Sequence, residues 1–222
     1  GYSISGADAG NYTLVQPAGV TANITAANLA VTGVTAANKV YDGVTTATLG
    51  GSATITVLGT DAVSLGGVGV GVFADKNVGT GKAVTISGYS ISGADAGNYI
   101  LTQPAGVTAN ITAANLAVTG AVAANKVYDA TTAASLSGAT ITPLGTDAVT
   151  LVAGTGVFAD KNVGTGKAVT VSGYSISGAD AGNYTLVQPA GVTANITAAS
   201  LAVTGAVAAN KVYDATTAAS LS

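Results

Sequence analysis

The sequence contains no cysteine, methionine, tryptophan or histidine, and it also lacks glutamate and arginine. Without cysteine no disulfide framework can form. The groups available as acid, base or nucleophile are reduced to Asp, Lys, Tyr and hydroxyl side chains. No two Asp residues stand at a spacing that indicates a catalytic carboxylate pair. We therefore expect a protein that is not an enzyme.

Charged residues are scarce, at 8% of the chain, and they leave a net charge of -3. An acidic chain without arginine is poorly suited to phosphate backbones, so nucleic acid is not an expected partner. Thr, Ser, Asn or Asp interrupts every apolar stretch before it reaches the ~18 to 20 residues of a spanning helix, so membrane insertion is not expected. No motif has the ligand count of a metal or cofactor site, and no cofactor is expected.

Hydrophobic residues make up 48% of the 222 residues, which is ordinary for a folded protein and argues against disorder. Two motifs recur with spacings of 87 and then 85 residues. GYSISGADAGNY begins at Gly1, Gly88 and Gly173, and KVYD begins at Lys39, Lys126 and Lys211. Such close copies indicate recent duplication, so the working unit is expected to be the array rather than one copy.

A third motif, FADKNVGTGKAVT, begins at Phe73 and at Phe158, which are 85 residues apart. The two-residue difference between copies therefore lies between KVYD and FADKN. We place it in the Gly-rich stretch 66–71, which is expected to be a surface connection where changes of length are tolerated.

Within each copy apolar and polar residues alternate with a period of two, as in half-buried strands. About eight short strands separated by Gly, Asn and Asp turns predict an all-β fold, a tandem array of small β-sandwich (immunoglobulin-like) repeats of about 85 residues. A β-solenoid or another compact β repeat is the alternative. The alternation predicts that these side chains are buried: Val84, Ile86, Tyr99, Val107 and Ile111, with Val169, Val171, Tyr184 and Ile196 in the second copy.

The alternation slips by one residue between Ile111 and Leu116, and such a slip turns every side chain to the other face of a sheet. We place the domain boundary at this slip. The prediction is an incomplete repeat over 1–27, complete repeats over 28–114 and 115–199, and an incomplete repeat over 200–222. The two incomplete pieces are expected to be completed by sequence outside this segment.

SGADAGNY places Asp95 and Asn98 just before a strand that is expected to begin at Tyr99. Side chains of this kind form hydrogen bonds to the backbone in tight turns, so we predict a structural turn. The second copy carries the same turn at Asp180, Asn183 and Tyr184. The alternative is a calcium site, but calcium takes six to eight oxygen ligands and only one carboxylate is local.

FADKNVGTGK differs from a phosphate-binding loop, because Lys76 and Ala83 occupy the positions where that motif needs glycine and a hydroxyl residue. We predict a hairpin loop. Asp75 and Lys76 are expected to form a solvated pair that contributes little stability. Phe158 and Asp160 hold the equivalent positions of Phe73 and Asp75 in the second copy.

Most of the large side chains of the first complete repeat are aromatic. We expect them to belong to the core, with phenol groups reaching its rim, and an aromatic sugar-binding platform is the alternative. The residues are Tyr41, Phe73, Tyr89 and Tyr99.

Taken together, the motifs resemble the YDG-type repeat of large secreted bacterial adhesins, including filamentous-haemagglutinin-like proteins exported by two-partner secretion. The signature glycine of KVYDG is present only at Gly43, after Tyr41 and Asp42. The later copies have Tyr128 and Asp129 followed by Ala130, and Ala215 at the third site, so the sequence does not by itself require a left-handed backbone there. The other matching segments are 73–88, 92–99 and 103–112.

The resemblance implies an extracellular or cell-surface location and a structural stalk or fibre segment of a large adhesin. Neighbouring repeats of the same chain are the expected partners, and regions outside this segment would bind any host or cell-surface receptor. The alternatives are a self-associating extracellular filament or biofilm-matrix protein, in which arrays pair laterally through their β edges, and a glycan-binding module.

Overall fold

The computed structural model describes residues 1–221, and its regular elements are β-strands and three short 3₁₀ helices. The 3₁₀ helices are Ala9–Asn11, Ala96–Asn98 and Ala181–Asn183. None of the helices in the described chain has the length and apolar character needed to cross a bilayer. The predicted all-β class is confirmed.

The strands follow the order of the repeated motifs. The first copy contains β1 (Ala27–Ala30), β2 (Thr32–Ala36), β3 (Lys39–Val40), β4 (Thr46–Ala47), β5 (Leu49–Thr54), β6 (Ser64–Phe73), β7 (Gly79–Ser92), β8 (Tyr99–Thr102) and β9 (Thr108–Thr112). The second copy contains β10 (Ala114–Ala117), β11 (Val122–Ala123), β12 (Lys126–Val127), β13 (Ala133–Ala134), β14 (Leu136–Ser137), β15 (Thr150–Val152), β16 (Thr155–Phe158), β17 (Gly164–Ser172), β18 (Ser175–Ser177), β19 (Tyr184–Val187) and β20 (Thr193–Thr197).

Both copies build the same five-stranded sheet, in the order β3-β9-β7-β6-β4 in the first and β12-β20-β17-β16-β13 in the second. The KV dipeptide of each KVYD motif pairs in parallel with the last strand of its copy, with Lys39 opposite Ile111 and Lys126 opposite Ile196. A second parallel pair joins β1 to β8 and β10 to β19. Each copy is a half-barrel or near-barrel, and the predicted tandem array of repeats of about 85 residues is confirmed.

The chain divides into two compact units that differ from the sequence copies. The first unit comprises Gly1–Ala37, Thr46–Ala74 and Lys82–Ala109. The second comprises Asn38–Thr45, Asp75–Gly81 and the chain from Asn110 onward. The second unit therefore contains the second copy together with the KVYDG segment and the DKNVGTG loop of the first copy.

The core of the second unit is built around one phenylalanine. Phe158 ends β16 and is 2% exposed, whereas its neighbour Val157 points outward and is 45% exposed, as the two-residue period of a strand requires. The cluster around Phe158 consists of Val118, Ala123, Val169, Val171, Tyr174, Ala194 and Ile196. In the first unit Phe73 ends β6 and is likewise 2% exposed.

Eight of the nine side chains that the alternation predicted to be buried are buried: Val84, Ile86, Tyr99, Ile111, Val169, Val171, Tyr184 and Ile196. Val107 is only half-buried, because it lies one residue before β9 begins and only its carbonyl is held, by the Val84 amide. Tyr89 is also half-buried, although it was expected in the core.

The Gly-rich stretch 66–71 is not a surface connection, contrary to the prediction, but lies inside β6. Pairing with β7 shifts register between Gly67 and Val70, which is a β-bulge. Gly67 has φ +80°, and a Cβ there would lie 2.1 Å from the carbonyl oxygen of Gly88, so only glycine fits this bulge. Between KVYD and FADKN the first copy is two residues longer than the second. Asp61 and Asp147 occupy equivalent turns 86 residues apart, whereas Phe73 and Phe158 are 85 residues apart, so only one of the two additional residues lies between the turn and the end of β6.

Candidate functional site: the Asp147 cluster

One tyrosine in each copy holds the turn of the GTDA sequence. Tyr184 begins β19, donates a hydrogen bond from its hydroxyl to Asp147 Oδ2 at 2.6 Å, and accepts one from the Leu144 amide at 2.9 Å. Tyr99 makes the same bonds to Asp61 and Leu58, at 2.6 and 2.9 Å. The tyrosine hydroxyl therefore fixes the position of the turn carboxylate in both copies.

The aspartate of SGADAGNY supports the same turn from the other side. Asp95 Oδ2 accepts a hydrogen bond from the Ala62 amide at 2.8 Å, and Asp180 does the same with Ala148 at 2.9 Å. The turn and the start of the following strand at Tyr99 are as predicted. The hydrogen bonds of the two aspartate side chains differ from the prediction, which placed them within the turn. Neither aspartate caps its own 3₁₀ helix, and each accepts a hydrogen bond from a separate loop instead.

The KVYD motif forms a small loop organised by its own charges. Lys39 Nζ donates to Asp42 Oδ1 at 2.7 Å and to the carbonyl oxygen of Val44 at 2.7 Å. In the second copy Lys126 and Thr131 hold Asp129 in the same way and lower the pKa of its carboxyl to about 2. The ion pair thus shapes the loop that carries the preceding tyrosine.

The residue after this aspartate has a left-handed backbone in every copy. Gly43 has φ +80°, Ala130 φ +64° and Ala215 φ +58°. The replacement of glycine by alanine had removed any sequence indication of such a conformation. The two alanines adopt it at a steric cost that glycine does not carry.

Tyr41 of the first copy and Asp147 of the second meet inside the second unit. The Tyr41 hydroxyl donates to Asp147 Oδ2 at 2.6 Å, and Lys76 Nζ donates to Asp147 Oδ1 at 2.5 Å. Lys76 also lies 3.3 Å from Asp180 Oδ1. We name Tyr41, Lys76, Asp147, Asp180 and Tyr184 the Asp147 cluster.

Aromatic packing surrounds the Asp147 carboxylate. The rings of Tyr41 and Tyr184 meet edge to face, with centroids 5.4 Å apart and an interplanar angle of 77°. Lys76 Nζ lies 5.9 Å from the centroid of the Tyr41 ring, which is within the range of a cation–π contact. The Asp147 side chain is only 3% exposed, so its charge is compensated by partners rather than by bulk water.

A second polar contact joins the same two stretches of chain. The Val78 amide donates to Asn183 Oδ1 at 2.9 Å, and Asn183 Nδ2 donates to Asn77 Oδ1 at 3.1 Å. Asn183 is 4% exposed. Since both ends of this amide are satisfied, the DKNV loop of the first copy is held in a defined place against the second copy's AGN turn.

The cluster fixes the protonation of its members. Burial by itself raises the pKa of the Asp147 carboxyl, but hydrogen bonds from Lys76, Tyr184 and Tyr41 outweigh burial and lower that pKa to about 2. Burial and the bond to Asp147 raise the pKa of Tyr184 to about 12, and the same causes raise that of Tyr41. The hydrogen bond to Asp147 also raises the pKa of Lys76. At neutral pH Lys76 and Asp147 are therefore an ionised pair, and the phenols of Tyr41 and Tyr184 are neutral.

The structure brings four of the predicted site residues together and leaves the others elsewhere. Tyr41, Asp180, Asn183 and Tyr184 lie at the junction described above. Tyr99, Asp95 and Asn98 form the equivalent turn of the first copy. Phe73 and Phe158 are core residues, and Tyr128 packs against the core of the second unit. The remaining predicted residues shape loops: Asp42, Asp75, Asp129 and Asp160.

The expected pair of Asp75 with Lys76 is wrong. Lys76 turns to Asp147 and Asp180, and Asp75 Oδ1 accepts a hydrogen bond from the Asn77 amide at 2.8 Å. The FADKN segment is a hairpin loop between β6 and β7, as predicted. In the second copy Asp160 pairs with Lys167 at 2.6 Å.

Sequence reasoning missed Asp147 and paired Lys76 with the adjacent Asp75 instead. The signal was present, because the GTDA sequence recurs at Gly59 and Gly145 and keeps its aspartate in both copies. Residues 1–221 contain no group of three or more acidic side chains arranged to hold a metal ion. The cluster is built to satisfy one carboxylate with cationic and phenolic donors.

The comparisons agree with the repeat organisation. No curated protein and no solved structure matches the chain significantly. A family model described as YDG domain matches residues 25–106 and 112–194, which is most of the sequence. The chain therefore belongs to the YDG domain family, of which it carries two tandem copies.

Proposed function

We propose that this chain is a non-catalytic structural segment, part of the stalk or fibre of a large secreted bacterial adhesin at the cell surface. The observation that carries the proposal is the Asp147 cluster. It ties Tyr41 and Lys76 of one copy to Asp147 and Tyr184 of the next. An array in which every repeat makes this contact with the next repeat would resist bending and pulling at the junctions between repeats.

The chemistry of the cluster supports a structural rather than a catalytic role. A carboxylate whose pKa is lowered to about 2 is a weak base at neutral pH, and phenols whose pKa is raised are weak acids. Lys76 and Asp147 line a groove of about 270 Å³, but Lys76 is paired with Asp147 and Asp180, and both oxygens of Asp147 already accept hydrogen bonds. Each group contributes more to holding loops than to moving protons.

The location can be tested on cells of the producing bacterium. Antibody raised against the 222-residue chain should label intact cells, and the label should disappear when the cells are treated briefly with external protease. Label that appears only after the cells are permeabilised would contradict the proposed surface role.

The stalk role can be tested in the full-length protein by removing one repeat in frame, residues 115–199. In a full-length protein whose array continues past residue 222, Tyr41 and Lys76 would then meet the equivalent turn of the next repeat, because the copies are nearly identical. The shortened protein should still be exported and should present its distal end closer to the cell. If the shortened protein is exported, keeps its distal end at the original distance from the cell and loses binding to a soluble ligand, the segment would instead be a ligand-binding module.

A further inference from the structure

The partners that form the Asp147 cluster are also present, separated, at two other places in the chain. Asp61, Asn98 and Tyr99 of the first copy repeat Asp147, Asn183 and Tyr184, and we name them the acceptor face. Tyr128, Lys161 and Asn162 of the second copy repeat Tyr41, Lys76 and Asn77, and we name them the donor face. The chain thus carries one joined pair and two separate halves.

The acceptor face has the geometry of the joined site without its partner. Tyr99 donates to Asp61 Oδ2 at 2.6 Å, as Tyr184 does to Asp147. A groove of about 260 Å³ opens beside these residues and is lined by Leu58 and by residues 24–27 and 97–99. Asn98 is exposed here, whereas Asn183 is 4% exposed in the joined pair.

The donor face shows the complementary difference. Tyr128 is half-buried, whereas Tyr41 is 3% exposed. Val163 is 55% exposed, whereas the equivalent Val78 is half-buried against the second copy. Lys161 is exposed and carries a positive charge that matches the Asp61 carboxylate. The same residues are therefore buried where a partner is present and exposed where it is absent.

We propose that the donor face of a repeat binds any acceptor face that is not already covered by a neighbouring repeat, so that two separate copies of this chain reproduce the Asp147 cluster between molecules. Tyr128 and Lys161 would then bind Asp61, and Asn98 would bind the Val163 amide. Because the two faces differ, the interface is heterologous, and after one such contact each partner still has one unused face for further association. The internal cluster shows which residues meet and in what arrangement.

The chain connection differs between the two cases. Inside the molecule Ala113 links β9 directly to β10, whereas between two copies residues 24–26 of one lie beside residues 198–200 of the other. All six residues are exposed and belong to no strand, so the two chain segments can pass each other without disturbing a strand. The intermolecular contact lacks the covalent link of the internal one and is therefore weaker, because it has no enhanced effective concentration.

Sedimentation of the whole chain tests the proposal. The weight-average mass should rise above the 21.0 kDa of the monomer as concentration increases from about 10 μM to about 1 mM, and the rise should be smaller at high salt. Asp61→Lys and Lys161→Asp should each weaken this association at least tenfold. Asp8→Lys and Lys211→Asp make the same charge changes at other exposed sites and should leave it unchanged.

Mixing Asp61→Lys with Lys161→Ala gives the sharpest result, because the two altered faces then carry no opposite charges with which to pair. Asp61→Lys keeps a working donor face and Lys161→Ala keeps a working acceptor face, so an equimolar mixture should form dimers of twice the monomer mass and nothing larger. Asn98→Ala, which alters an exposed side chain, should weaken association even if Asp61→Lys disturbs the fold. A chain that stays monomeric throughout overturns the proposal, and so does association that persists in every variant. Neither result bears on the surface role proposed above.

Discussion

Removing one hydroxyl from Tyr41 isolates the contact between the two copies. Tyr41→Phe keeps the ring, which is 3% exposed and packs against Tyr184, and deletes only the donor to Asp147. The second copy offers a matched control in Tyr128→Phe, since the Tyr128 hydroxyl has no carboxylate partner within the described residues. The two substitutions are chemically identical and lie at equivalent positions of the two KVYD loops.

The expected magnitude follows from the geometry of the bond. A hydrogen bond to a charged group contributes about 1.5 to 3 kcal/mol, and the 2.6 Å distance to a buried carboxylate places this one within that range. Asp147 retains Tyr184 and Lys76 as donors, so the carboxylate is not left without partners. We expect Tyr41→Phe to lower the free energy of unfolding by about 2 kcal/mol. Tyr128→Phe should change it by less than about 0.5 kcal/mol.

Urea unfolding followed by far-ultraviolet circular dichroism measures the difference. With a slope of about 2 kcal/mol per molar urea, the midpoint of Tyr41→Phe should fall by about 1 M. In Asp147→Asn, where the charged acceptor is already lost, the added Tyr41→Phe change should cost much less. Equal effects of Tyr41→Phe and Tyr128→Phe would refute the reasoning, because the contact would then contribute nothing to stability.

Three other predictions concern the core, the KVYD loop and pH. Phe158→Ala should destabilise the chain by about 3 to 5 kcal/mol, because it leaves a cavity at the centre of the second unit's core; calorimetry showing only a small fall in Tm would argue against that packing. Ala130→Gly should stabilise and Gly43→Ala destabilise by about 1 kcal/mol, since both positions have positive φ and nothing lies within 4 Å of a Cβ at Gly43; changes of the same sign in urea unfolding would contradict this. Because the folded pKa of Asp147 is lowered to about 2, its contribution is complete above its ordinary pKa of about 4 and should be lost as pH falls toward 2; in a titration of stability, Asp147→Asn should lose less than the unchanged chain over that window.

The repeat count, the strand class and most of the core could be predicted from the sequence, because each depends on local patterns. The alternation of Val84 and Ile86 with Thr85 and Ser87 identifies a half-buried strand without any knowledge of its neighbours. Val107 follows the same alternation yet is half-buried, because it lies just outside the strand. The Gly-rich stretch 66–71 was misassigned because a bulged strand and a flexible loop share the same glycine-rich composition.

The site itself depends on residues far apart in sequence, and this is where sequence reasoning failed. Lys76 and Asp147 are 71 residues apart, and nothing near Lys76 indicates that it turns away from the adjacent Asp75. Tyr41 and Asp147 belong to different copies, so a motif-by-motif interpretation treats each as part of its own repeat. Only the fold shows that the KVYD and FADKN loops of one copy meet the GTDA and AGN turns of the next.

Hydrogen exchange at two valine amides tests the central claim most directly. Val78 and Val163 lie in the identical sequence DKNVGTGKAVT, so their intrinsic exchange rates are the same. The Val78 amide donates to Asn183 Oδ1 at 2.9 Å, whereas the Val163 amide has no such acceptor among the described residues. The structure predicts that in dilute protein Val78 exchanges at least about tenfold more slowly than Val163, and that Asn183→Ala removes the difference. Equal rates in the unchanged chain would contradict the account, because the loop of the first copy would then not be held by the second.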